Sequence, residues 1–393
     1  MTVRERTRHL TGLAPSEDSF TSRLRSAAVA ARLGLWTGLC FAVAFVTGLI
    51  SHYAQLMHPP VPLPTTPAWG YAATQGLHVV AGTAAVPLLL VKLWAVFPKL
   101  FQALPRGVGG AARAALERGS IAVLVAGSLL ELTIGLMNVV QWYAWRFNFR
   151  ETHYALAWIV VGALLVHVAV KLPVITRVLR SDIEATTDDR PTATRVGALS
   201  RRGLLRASAV AAGVAVIAVS PALSTLPVLD RVAVLSPRSR RRGIPINRTA
   251  RQAGVLGTAA GDGYRLQVAY AGRQRSLTRT DLLARQQVTH TLPIACVEGW
   301  TAFGDWTGVP VRTLLDEVGA PRGRSVRVSS LQEHGADRET VLPADFVDDR
   351  RTLVALMLDG EALSLDHGYP ARLIAPDRPG ALQTKWVARI EVL

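Results

Sequence analysis

Cys296 stands where an apolar, β-branched run, Leu292 to Ala295, gives way to Glu298, Gly299 and Trp300. A thiolate is both a nucleophile and a soft metal ligand, and a strand running into a glycine turn presents it to a bound cofactor. The only other cysteine, Cys40, lies in a long apolar stretch, so Cys296 has no obvious disulfide partner. The competing reading is a buried structural cysteine, the commonest kind. A second set of residues points to metal chemistry of another sort. Of nine histidines, five (His52, His58, His78, His153 and His167) fall in or at the edges of apolar stretches. On one helix His153 and His167 share nearly the same face, about 21 Å apart. Imidazole is the usual axial ligand of a b-type haem that only transfers electrons.

The elements that must carry these residues divide the chain of 393 residues into two kinds of sequence. Half of the residues are hydrophobic, and these fall mostly before residue 227. Five stretches, 31–51, 71–97, 120–143, 153–172 and 204–226, are long and apolar enough to cross a bilayer, which takes about 20 residues. Residues 1–32, 97–119 and 171–206 carry six, four and eight Lys or Arg, whereas 54–70 carries none and 143–152 two. By the positive-inside rule the N-terminus is cytoplasmic, and five crossings put everything after 227 outside. The net charge of +16 is therefore a topology signal, and no nucleic-acid partner is expected. The expected layout is a cytoplasmic tail (1–30), a four-helix membrane domain (31–175), a cytoplasmic linker (176–203), a fifth, anchoring helix (204–226) and an outer domain (227–393). Arg201 and Arg202 open the fifth span and look like a twin-arginine export signal, here internal, which would imply export of a folded, cofactor-loaded domain. The alternative is two ordinary topology arginines.

Within the four-helix part, His78 and His153 both lie near the outer ends of helices that run inward, so both can reach one haem iron. His167 is a candidate ligand for a second haem, but the residue fourteen after His78 is Lys92 rather than histidine. Lys92 could instead meet a propionate, snorkel or bind quinone. His52 is an alternative ligand or part of a quinone pocket, and His58 is read as solvated. Glu131 inside the third span is costly unless protonated or paired, for instance with an arginine near the surface. Pro87 should kink the second span. The arrangement over residues 30–175 resembles the haem b-binding cytochrome b subunits of bacterial oxidoreductases.

From Arg231 onward the pattern changes to short strands at 264–270, 325–329, 353–357 and 386–393, with helical runs at 279–286 and 311–318. This is an α+β domain large enough for its own core. Cys296 with Glu298-Gly299-Trp300, Trp306 to Pro310, the run Leu365 to Pro376 and the run Lys385 to Glu391 resemble the sulfite-oxidase-fold molybdopterin oxidoreductases. That resemblance implies that Cys296 ligates molybdenum and is the catalytic residue, beside a pterin dithiolene. Asn247, Arg248, His367, Arg372 and Lys385 would contact the Mo-molybdopterin. Sulfite oxidases proper follow their cysteine with cationic residues. The Cys-Val-Glu pattern here is closer to the bacterial periplasmic protein-methionine-sulfoxide reductase catalytic subunit. The expected protein is a multi-pass enzyme of the bacterial plasma membrane, with lipid, a quinone or other membrane donor, and the twin-arginine export machinery as partners. It would reduce a small-molecule or methionine-sulfoxide-type S-oxide or N-oxide through haem b. The alternatives are sulfite-oxidase-like oxidation with electrons passed to the membrane, a membrane part without haem, and an outer domain that only binds or assembles.

Overall fold

A computed structural model describes residues 16–61, 64–102, 107–219, 232, 243–335 and 338–393. The first fifteen residues, the expected boundary at 226/227 and the arginine cluster at 238–242 lie outside the described residues.

Five helices are long and apolar enough to cross a membrane: α1 (Ala27–Ala54), α2 (Gly70–Val96), α3 (Val108–Val139), α4 (Phe149–Arg180) and α5 (Arg201–Val219). They match the five expected spans. However, α3 starts at Val108 rather than at 120, and α4 continues to Arg180 through Pro173. Asn148 starts α4 by accepting a hydrogen bond from Glu151 N, which satisfies one of the first-turn amides that a helix leaves open. Large apolar side chains stand exposed along these helices, among them Leu35 and Leu39 on α1, Leu90 on α2, and Leu165 and Val170 on α4. A helix apolar on its outward face needs an apolar solvent, so the chain is read as membrane-associated.

The chain divides into two compact units. The first comprises Met1–Phe45 and Val80–Val219, and the second comprises Val46–Val79 and Ser220–Leu393. In the first unit, Val29, Leu33, Leu88, Ala95, Leu205 and Ala212 pack α1, α2 and α5 together. Its polar end is tied by arginines. Arg190 donates to the carbonyls of Glu17 and Phe20, and Arg32 to those of Val178 and Ser181. Arg201, 3% exposed, donates to the carbonyls of Arg23, Ile183 and Ala185 and pairs with Asp189.

The second unit holds two five-stranded sheets. One has the order β2 (Arg273–Leu277), β1 (Leu266–Tyr270), β10 (Val387–Val392), β5 (Val326–Ser330), β6 (Glu339–Leu342). β1 and β10 run parallel, so the last strand closes on the first. The other has the order β3 (Val288–Ala295), β4 (Thr301–Pro310), β7 (Leu353–Leu358), β8 (Glu361–Ala362), with β9 (Arg372–Ile374) also on β7. The expected strands and both helical runs are present, the latter shortened to Arg279–Leu283 and Val311–Asp316. The turns follow their residues. Ala271-Gly272 and Asp359-Gly360 all take positive φ, as a tight two-residue hairpin requires. A core of Leu266, Val268, Leu314, Leu315, Val326, Val354, Leu373 and Ile390 draws on strands of both sheets. A second core surrounds Cys296, Trp300 and Trp306.

Candidate functional site

Cys296 follows β3 directly and is 4% exposed. Its amide donates to the Trp300 carbonyl at 2.9 Å, and Gly299 N donates to the Cys296 carbonyl at 3.0 Å, so the loop closes on itself. Gly299 has φ +87°, a conformation that costs glycine nothing. Glu298 is buried, and its carboxylate accepts from the Trp300 indole N–H at 2.9 Å. Trp306, fully buried in β4, donates its indole N–H to the Leu292 carbonyl and so fixes the β3–β4 pair beneath the loop.

The residues expected around the cysteine form one connected set. Asn247 donates from Nδ2 to Cys296 Sγ at 2.8 Å. An N–H aimed at sulfur favours the thiolate, the form that binds metal. His367 Nε2 meets the Ile244 carbonyl at 3.0 Å, and its Nδ1 meets Ser364 Oγ at 2.8 Å. A carbonyl only accepts, so Nε2 carries the proton and Nδ1 takes the serine hydroxyl. Lys385 Nζ donates to the carbonyls of Arg248 and Asp366 at 2.8 and 2.7 Å, joining the segment after Asn247 to the turn before β9. Arg248 donates to the His334 carbonyl at 2.7 Å. Arg372 donates from one terminal nitrogen to the His367 carbonyl at 3.1 Å and lies over the Trp306 ring.

The electrostatics are lopsided. Arg372 is 4% exposed, its Nε has no hydrogen-bond partner, and no carboxylate lies within ion-pair distance of it among the described residues. Burial pushes its pKa down to about 10. Burial, with Arg372 nearby, pushes Lys385 down to about 7, and burial also lowers His367. A buried cation without a counter-charge is expensive, and the site as built calls for an anion. The residues therefore fit a phosphate-bearing pterin beside a thiolate ligand. Sequence reasoning missed Ser364, which orients His367, and Asp366, which accepts from Ala250 N at 2.8 Å. Asp366 sits in the Leu365 to Pro376 run already singled out and Ser364 immediately before it, and Ser or Asp at a turn is their signal.

The intramembrane histidines occupy polar niches. His78 Nδ1 lies 3.3 Å from Thr47 Oγ1, and a side chain at Gly48 would come within 3.0 Å of its ring. Glu131, suggested above to meet a surface arginine, instead lies 3.2 Å from His153 Nδ1, and Gly135 leaves room for that ring. A metal-bound histidine commonly turns its second nitrogen toward a carboxylate. His167 falls within electrostatic reach of Lys92, Lys171 and Glu117, and Lys171 and Glu117 form an ion pair. His52 contacts Tyr53 edge-to-face. Among the described residues no cluster of three or more His, Cys, Asp or Glu forms a metal site.

Residues 254–393 match the oxidoreductase molybdopterin binding domain. Over 133 residues the chain is 30% identical to a protein of Azospira oryzae named as protein-methionine-sulfoxide reductase subunit YedZ1, covering 33% of this chain and 48% of that one. Over 102 residues it is 36% identical to a nitrate reductase [NADPH] of Phytophthora infestans, covering 24% of this chain and 11% of the relative. The sulfane dehydrogenase SoxCD of Paracoccus pantotrophus aligns at 27% identity over 33% of this chain and 38% of its own, with a TM-score of 0.31, too low to speak for the fold. The chain thus spans about half of one of these curated relatives and about a tenth of the other. Its cysteine, its cationic cradle and this match together identify residues 254–393 as an oxidoreductase molybdopterin-binding domain.

Proposed function

We propose that the chain is a multi-pass enzyme of a bacterial plasma membrane that reduces an S-oxide or N-oxide at its outer domain, with electrons drawn from a quinol through haem b. The observation that carries the reading is the pairing of the Cys296 thiol with Asn247 Nδ2 in the same connected set as the buried Arg372, whose Nε has no hydrogen-bond partner. When bound, Mo-molybdopterin supplies two-electron oxygen-atom transfer, so that the S-oxide, two protons and two electrons give sulfide and water. Cys296 would hold the metal and Asn247 would keep its sulfur ionised. Arg372, Lys385 and Arg248 would neutralise the pterin phosphate, and His367 would lock the segment from Ile244 to Asn247. Glu298 is buried against Trp300 two residues from Cys296, and a carboxylate so near the metal-binding thiol disfavours an anionic substrate. The relative named as a methionine-sulfoxide reductase subunit supports the same substrate class.

His78 and His153 would hold one haem, with Glu131 orienting His153. The four helices α1–α4 would form that haem domain. α5 would be an anchor, and its Arg201-Arg202 pair would be the signal for folded export. The N-terminus would be cytoplasmic and the sheets extracytoplasmic. A second reading, an oxyanion substrate, is favoured by the nitrate reductase relatives. The test is the molybdenum and haem content of detergent-purified protein, wild type and Cys296→Ala. Molybdenum lost in the variant with a b-type spectrum retained is the expected result. Wild type without molybdenum, isolated from cells that make the cofactor, would sink the reading.

A further inference from the structure

The loop that carries Cys296 is fastened to a membrane helix. Gln75, on the second turn of α2, is 4% exposed and donates from Nε2 to the Val297 carbonyl at 3.2 Å. One turn on, Val79 packs against Gly299 so closely that a Cβ at Gly299 would clash with Val79 Cγ2. The start of the helix is fixed as well. The Asp377 carboxylate accepts from Tyr71 N, and Asp377 N donates to the Ala68 carbonyl at 3.0 Å. Ala54 and Tyr71 bury Ala295, the residue before the cysteine. Gln75, His78 and Val79 are spaced to share one helical face.

We infer that Gln75 and Gly299 clamp the cysteine loop onto α2, and that electrons pass from the His78 turn to the Cys296 centre through this clamp. From Gln75 the connection runs through one hydrogen bond to the Val297 carbonyl, and one peptide separates that carbonyl from Cys296. Both the side chain and the loop are withdrawn from water, which keeps the geometry fixed. A haem held at His78 would supply electrons one at a time; the S-oxide would take two of them and two protons to give sulfide and water, and a quinol, oxidised to quinone with release of two protons, would restore both electrons. Gln75 is thus a positioning residue. The inference rests on the reading of His78 as a haem ligand.

The test uses full-length protein in detergent, as wild type, Gln75→Met and Gly299→Ala. Haem is reduced with dithionite, and its reoxidation by dimethyl sulfoxide or methionine sulfoxide is followed in the visible band. In parallel, reduced methyl viologen, a soluble dye that reaches the outer centre without the membrane helices, drives the same reduction. The expected result for Gln75→Met is haem reoxidation slowed about tenfold, with viologen-driven turnover and both cofactor contents unchanged. Gly299→Ala, which must push the loop off the helix, should slow reoxidation further. Unchanged reoxidation in Gln75→Met, or equal loss of both reactions along with molybdenum, overturns the inference. Wild-type haem that neither S-oxide reoxidises also overturns it. A wild type without a haem band overturns the underlying reading as well, and the spectrum reveals that before any kinetics.

Discussion

Arg201 in the helical unit and Arg372 in the sheet unit are 3% and 4% exposed, yet their surroundings differ. Arg201 spends its donors on three backbone carbonyls and on Asp189, so its charge is neutralised and its hydrogen bonds are made. Arg372 has one carbonyl, an aromatic face and an Nε with no partner. Burying a guanidinium costs several kcal/mol unless geometry and partners compensate. The first arginine is a finished structural joint. The second is tolerated at a cost, and such a cost is characteristic of a site that awaits a ligand.

Four experiments would break or sharpen that contrast. The largest effect should come from Asp189→Ala, which leaves Arg201 buried without its anion while keeping the Arg201-Arg202 pair. It should cost about 3 kcal/mol, read as thermal unfolding in detergent. No change would mean that the carbonyls alone satisfy Arg201. Next, Arg372→Gln should weaken retention of the pterin cofactor by about thirtyfold or more. The melting temperature of cofactor-free protein should stay level or rise, because an uncompensated charge has been removed. A variant that loses stability and cofactor together would make Arg372 another structural joint.

The third is a pH effect. Lys385 titrates near 7 in the folded protein against an ordinary 10.5, the shift arising first from burial. Between those values only the unfolded chain holds the proton, so cofactor-free protein should become more stable as pH rises from about 7 to about 10. A bound phosphate would keep Lys385 protonated and abolish that gain. Parallel stability curves with and without cofactor would remove Lys385 from the site. The smallest effect belongs to a third arginine. Arg285 meets Glu317 through two bonds of 2.7 and 2.8 Å at the wet surface. Glu317→Ala should cost about 0.5 kcal/mol and less in high salt, which sets the scale for an exposed pair.

The legible part of the molecule was the part written locally. Apolar runs gave the five helices, and alternation and turn residues gave the strands. Asn247, His367 and Lys385 come together because they lie on turns that the strands bring together. What stayed hidden depends on pairing across long separations. Gln75 and Asp377 have no special spacing, and each acquires its meaning from a partner 222 or 306 residues away. Arg201 read as part of a signal or of a topology rule, and nothing nearby in sequence announces that it would be buried among carbonyls of residues 23, 183 and 185. Glu131 was legible as a costly carboxylate, but its partner His153 was not, because a carboxylate inside a span does not say which helix will face it.

The unit that holds Cys296 is built from two stretches of chain, Val46–Val79 and Ser220–Leu393. Its earlier stretch leaves the ribosome long before the last strand exists. The contacts of α2 with Asp377 and Val297 therefore stay unmade until those later residues have been synthesised. A C-terminal piece released on its own would be missing part of its own wall.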